Sequence, residues 1–230
     1  MGGSSAISDK TTVRWQDDFH KPINPPESCT PPLRNSKSRI ESLSEKVVAD
    51  LHTLRHPETD WMPDTIKPNG ERILDVLIVG AGQSGLAIGG LLMRERVTNI
   101  LVIDQEPQGK EGIWNSHGRM PVIRSPKHYP GPDMGIPSLT YEAWHRATFG
   151  NNSWTKLSFI PIPNWIDYLS WVRRVLKLPV QNDTKLLAIR PAHNGLKVTL
   201  ETSSKVTTLY VRRLVLATGH DGTGEWGLPH

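Results

Sequence analysis

Cysteine is almost absent from this chain, Cys29 standing alone among 230 residues. That excludes an intrachain disulfide and points to a reducing compartment, with Cys29 read as an incidental surface thiol. Charges of one sign never run to five in a row, and the net formal charge is only +4 with a pI of about 9.2. No stripe for a nucleic-acid backbone is therefore expected. Long apolar runs are missing too: the longest, near Leu86 to Met93, is too short to span a bilayer. No charged-then-apolar leader opens the chain, and "MGGSSA" places Ala6 where a myristoylation signal needs Ser or Thr. Together these absences predict a cytoplasmic protein with neither nucleic-acid nor membrane partners.

Apolar residues make up 37%, below the usual share for a compact domain, and the dilution is concentrated at the N-terminus. Residues 1–38 carry Pro22, Pro25, Pro26, Pro31 and Pro32 among polar residues. Such a segment cannot bury enough apolar surface to offset its ordering entropy, which predicts a disordered tail. Residues 39–70 read as an amphipathic helix and a linker. Ile40, Leu43, Val47, Leu51 and Leu54 recur at helical spacing until Pro57 stops the pattern. Residues 71–230 read as one folded α/β domain.

Within that domain "LDVLIVG" is a continuous apolar run of the kind a central parallel strand needs. A helix over 84–95 follows, and then "NILVIDQ" as a second strand. Helix starts are predicted at Ser138 and at Asn164, the latter as N-cap of a helix with Trp165, Leu169, Val172 and Leu176 on one face. "KLLAIRP", "LKVTLET" and "TTLYVRR" read as a small antiparallel sheet, and "RLVLATG" as a separate buried strand. Trp144, Trp154, Trp165 and Trp171 read as packing residues rather than the lining of a ligand pocket.

Gly80, Gly82 and Gly85 form G-x-G-x-x-G directly after a strand and at the mouth of a helix. The first glycine makes the tight turn, the second lets a pyrophosphate approach the backbone, and the third lets helix and strand pack closely. Asp104 ends the second strand, where an acid accepts hydrogen bonds from a ribose and repels a 2′-phosphate. The closing Ala217-Thr218-Gly219 after an apolar strand, with the antiparallel insert before it, favours FAD over NAD in this turn.

On "DVLIVGAGQSGLAIG", "EGIWNSHGRMPVIRSPKHYPGPD" and "VLATGHDGTGEW", the chain from about Asp50 onward resembles the flavin-containing monooxygenase and Baeyer–Villiger monooxygenase superfamily. The resemblance implies a Rossmann-like FAD-binding domain with a small antiparallel insert sheet. It implies pyrophosphate contacts from Gly80, Gly82, Ser84 and Gly85, and ribose contacts from Asp104 and Gln105. Gly112, Ile113 and Trp114 match the segment along the flavin side, Leu186 the backbone position at the adenine, and Ala217, Thr218 and Gly219 the second glycine-rich contact.

In that superfamily NADPH reduces the flavin, and oxygen then supplies one atom to a small organic substrate. The second glycine turn for NADPH and the F-x-G-x-x-x-H signature have no match in these 230 residues. NADPH is therefore expected only from a missing domain or a partner. Two alternatives stay open: the N-terminal piece of a longer enzyme, or a shortened homologue that oxidises, cyclises or isomerises a small natural product without NADPH. A non-catalytic subunit is a third, and a homodimer or partner protein covering the C-terminal face is expected.

His117, Arg124 and His128 are the catalytic candidates, in a loop that should pass near the flavin. Histidine titrates near neutral pH and suits a general acid or base, and Arg124 suits an anionic intermediate. The competing reading is that these side chains cap loops or bind cofactor phosphate. No metal site is expected.

Overall fold

The computed structural model describes residues 30–67, 70, 72–116, 118 and 120–223. Chain order is α1 (Ser36–Thr53), β1 (Leu74–Val79), α2 (Gln83–Arg94), β2 (Ile100–Ile103), β3 (Val122–Ile123), α3 (Tyr141–Phe149) and α4 (Asn151–Lys156). Then come β4 (Ile160–Pro161), α5 (Ile162–Leu176), β5 (Val180–Gln181), β6 (Thr184–Ala192), β7 (Gly195–Thr202) and β8 (Lys205–Leu216). Six strands form one mixed sheet in the order β5-β2-β1-β8-β7-β6, while β3 and β4 pair separately.

β1 is parallel to both β2 and β8, and every residue from Asp75 to Val79 is buried. The uninterrupted run of apolar side chains is what a strand covered on both faces requires. Its one polar member, Asp75, is 1% exposed and is held by Arg212 Nη1 at 3.0 Å and Asn99 Nδ2 at 3.1 Å. A buried carboxylate needs such partners to remain charged.

The expected separate insert sheet and closing strand are in fact joined. β8 runs twelve residues without a break, antiparallel to β7 through its first part and parallel to β1 through its last. Val211 sits in both pairings, opposite Leu196 and Leu74. No Gly, Pro or Asn lies between Lys205 and Leu216 to turn the chain, so the strand continues from meander into core.

Two helix starts also differ from expectation. Thr140, not Ser138, caps α3, its Oγ1 accepting from Ala143 N at 3.2 Å. Ser138 instead donates to Asp50 Oδ2 on α1 at 2.6 Å. α5 begins at Ile162, two residues before Asn164, because Pro163 fits the first turn, where its missing N–H costs nothing.

Residues 1–29 of the expected tail lie outside the described residues. α1 starts at Ser36, inside the stretch assigned to that tail. Leu33 N donates to Thr148 O at 2.9 Å, and Arg39 caps the end of α3 through Ala147 O and Arg146 O. Val47 is fully buried, and Ile40, Leu43 and Leu51 pack beside it, while Leu54 follows the helix and is exposed.

Trp144, Trp154, Trp165 and Trp171 are core residues, each 6% exposed or less. With Tyr141, His145, Phe149 and Tyr168 they form an aromatic layer under α3 and α5. Among the described residues no helix is long and apolar enough to cross a membrane.

Candidate functional site

Three parallel strands end side by side, and the chain leaves each through a turn: Gly80 after β1, Asp104 after β2, Ala217 after β8. The C-terminal ends of parallel strands are where α/β sheets bind ligands. Backbone contacts hold these turns together. Gly80 N donates to Ile103 O at 2.7 Å and Ala217 N to Val79 O at 2.8 Å.

Gly80 has φ +105°, and a Cβ there would strike the carbonyl oxygen of Ala217. A Cβ on Gly85 would strike the carbonyl oxygen of Gly80. Both neighbours are backbone and cannot swing away, so the turn admits only glycine at these positions. Gly82 and Gly112 meet face to face, a Cβ on Gly82 lying 3.3 Å from Gly112 Cα. This contact joins the glycine turn to the loop after β2.

The turns enclose a cavity of about 690 Å³. Its wall includes twelve of the thirteen residues expected to hold the cofactor: Gly80, Gly82, Ser84, Asp104, Gln105, Gly112, Ile113, Trp114, Leu186, Ala217, Thr218 and Gly219. The thirteenth, Gly85, is buried behind the turn on α2 and acts through packing. α2 opens onto this cavity with Gly82 as N-cap and no side-chain cap. Its first-turn N–H groups and the positive end of its dipole are thus available to an anion. A pyrophosphate fits this cradle, which a Cβ at Gly82 would narrow.

Asp104 is 8% exposed, and both carboxylate oxygens already accept backbone bonds. Ala81 N donates to Oδ2 at 2.7 Å and Glu106 N to Oδ1 at 2.9 Å. The acid thereby ties the glycine turn to the end of β2 while facing the cavity.

Two of the three catalytic candidates stand apart from this wall. Arg124 and His128 are exposed and do not line the cavity; the His128 ring packs edge-on against Tyr129 with centroids 5.8 Å apart. His117 lies outside the described residues. Among the described residues the histidine on the cavity wall is His220, beside Glu106, Lys110 and Lys185. Only its position directly after the Ala217–Gly219 segment would have marked it in the sequence.

A second groove, of about 890 Å³, lies between α1 and α5 and shares no residue with the first. Its described lining holds no glycine turn.

A family model described as FAD-NAD(P)-binding matches residues 77–221. The chain is 42% identical over 192 residues to an FAD-dependent urate hydroxylase of Xanthomonas campestris pv. campestris, covering 83% of this chain and 40% of that protein. It is 33% identical over 126 residues to an uncharacterized monooxygenase of Sinorhizobium fredii, covering 54% of this chain and 16% of that one. Among solved structures, FAD-bound DfoA, a cadaverine monooxygenase of Erwinia amylovora, aligns with a TM-score of 0.54 at 18% identity. That alignment covers 65% of this chain and 36% of DfoA, and it shows the fold. The chain thus spans less than half the length of each of these relatives.

Proposed function

The chain belongs to the FAD-NAD(P)-binding family, and on that premise we propose that it is the FAD-binding part of a flavin-dependent, monooxygenase-type oxidoreductase acting on a small organic molecule. One observation carries this reading. The residues at the ends of β1, β2 and β8, with the Gly112–Trp114 segment and Leu186, share one cavity wall although they are scattered over 140 positions.

In this reading the turn from Gly80 to Gly85 and the N-terminus of α2 hold the pyrophosphate of FAD. Asp104, Gln105 and Leu186 hold the adenosine end. Gly112, Ile113 and Trp114 lie along the flavin end, faced by Ala217, Thr218 and Gly219. Bound FAD supplies two-electron redox chemistry and a route to activate oxygen. The chain's own residues would bind and orient the cofactor. Arg124, His128 and His117 remain proposed acid, base or anion-holding groups. His220 is added to them as the histidine on the cavity wall. NADPH is assigned to a further domain or a partner, and urate, named by the Xanthomonas relative, is the first substrate to try.

The test is the visible absorption spectrum of the purified chain, followed by release and identification of the chromophore. Bound FAD supports the reading. A colourless protein that also takes up no added FAD overturns it. NADPH consumption with urate, in the presence of a separate flavin reductase, then tests the substrate.

A further inference from the structure

The loop between β2 and Gly112 forms one side of the cavity, through Gln105, Glu106, Lys110 and Gly112. It contains no regular secondary structure from Asp104 to Gly112; backbone bonds such as Thr184 N to Asp104 O at 2.9 Å hold its start, and side chains hold the rest of its approach to Gly112. Three of them come together behind it. Glu111, directly before Gly112, is buried to 12% side-chain exposure and receives three donors. Arg173 Nη1 lies at 2.5 Å from Oε1, Asn182 Nδ2 at 2.7 Å from the same oxygen, and Gly109 N at 2.7 Å from Oε2. Arg173, on the last turn of α5, uses its second nitrogen on Asn182 Oδ1 at 2.9 Å. Asn182, just past β5, also donates to the Glu106 carbonyl at 2.9 Å. None of the three lines the cavity.

We propose that Glu111, Arg173 and Asn182 are a positioning network for the cofactor: they clamp the 105–112 loop so that Gly112 rests against Gly82 and the cavity keeps the width FAD needs. The inference rests on the FAD reading above. The geometry suits the task. A guanidinium presents a planar fork that reaches Glu111 and Asn182 at once, which a lysine ammonium cannot do in the same pose. The carboxylate and guanidinium are both largely out of water, where charge-assisted bonds are strong and a broken one leaves an unpaired charge. Loop, α5 and the end of β5 are joined at both ends of the turn, Glu106 and Glu111. Removing one member frees the loop without removing any group that touches the ligand.

The experiment is a fluorescence titration of the full chain with FAD, well below its unfolding temperature, for wild type, Arg173→Met, Arg173→Lys and Glu111→Gln. Exposed Arg174→Ala serves as the control. Hydrogen exchange of the 105–114 amides in the FAD-free protein is measured alongside. The expected result is an FAD Kd raised about tenfold or more in Arg173→Met and Arg173→Lys, with faster exchange in the loop and no change in Arg174→Ala. Glu111→Gln keeps the shape and loses the charge, and it carries the test if Arg173→Met does not fold. Variants whose unfolding midpoint drops while FAD Kd and loop exchange hold at wild-type values overturn the inference and leave the FAD reading intact. A wild-type chain that takes up no FAD overturns the reading, and the inference with it.

Discussion

His145 makes the stability of this domain depend on pH between about 6.5 and 4. The imidazole is 2% exposed within the aromatic layer, its Nδ1 3.3 Å from Tyr141 Oη and its Nε2 3.1 Å from Ser153 Oγ. The neutral ring has one donor and one acceptor and satisfies both partners; the charged ring has only donors. Burial, with the nearby positive charges of Lys127 and Arg146, pushes its pKa down from 6.5 to about 4. The unfolded chain then binds a proton that the folded chain refuses. Stability is complete above the unfolded value and falls as pH drops from about 6.5 towards 4, at about 1.4 kcal/mol per pH unit and roughly 3 kcal/mol in all. Asp50 is held low chiefly by the Ser138 hydroxyl, and its contribution fades only below the usual carboxylate range. Asp167 is pushed up by burial and works in the opposite sense, since protonation at its site favours the folded form.

The perturbation is His145→Gln, which keeps polar groups in the layer and removes the titration. The assay is urea unfolding at half-unit steps from pH 4 to pH 7.5. The variant starts less stable at pH 7.5, by the lost ring contacts, but its stability declines less steeply towards acid, so the two curves converge by about pH 4. Parallel curves, equally steep through pH 6 to 4.5, would refute the assignment of the acid loss to His145.

Three further outcomes follow from the geometry. Gly85→Ala drives a Cβ into the Gly80 carbonyl and is expected to cost about 3 kcal/mol by thermal unfolding and to abolish FAD uptake in a titration. Arg212→Ala leaves the Asp75 carboxylate buried with Asn99 and a distant Arg72 at 3.7 Å, a loss of about 3 kcal/mol measurable by urea unfolding. Asp104→Asn turns one acceptor into a donor facing a backbone N–H. It should lower both the unfolding midpoint and FAD affinity, and an unchanged midpoint would show that Asp104 does not hold the turn.

The parts of the proposed site that were legible in the sequence are those whose physics is local. A glycine turn after an apolar strand, an acid at the next strand's end and a second glycine segment each announce themselves within a few residues. The strand pattern then brings them to one edge of the sheet. What was missed is held by distant pairs. Glu111, Arg173 and Asn182 are separated by 62 and 9 positions, and no spacing rule joins an acid beside a glycine to an arginine on a helix. Asp75 lay hidden in an apolar strand because its partner Arg212 is 137 positions away. The strand readings "TTLYVRR" and "RLVLATG" meet at Arg212-Arg213, in the middle of β8. There, one arginine reaches Asp75 and Pro63 O while the other donates to the neighbouring carbonyl, so the strand passes through unbroken.

Asp104 shows why local motif and distant network belong to one design. A carboxylate has about four acceptor sites, and two of those on Asp104 are filled by Ala81 N and Glu106 N before any ligand arrives. Those bonds hold the carboxylate in place on the cavity wall, where the proposed ribose hydroxyls would come. The same Glu106 whose N–H points at Asp104 has its carbonyl held by Asn182, and through Asn182 the loop is tied to Arg173 and Glu111. Asp104 therefore fixes the start of the loop, Asn182 its second residue and Glu111 the approach to Gly112. A site assembled in this way does not have to order the loop when FAD binds, and the conformational cost of that ordering is removed from the binding free energy.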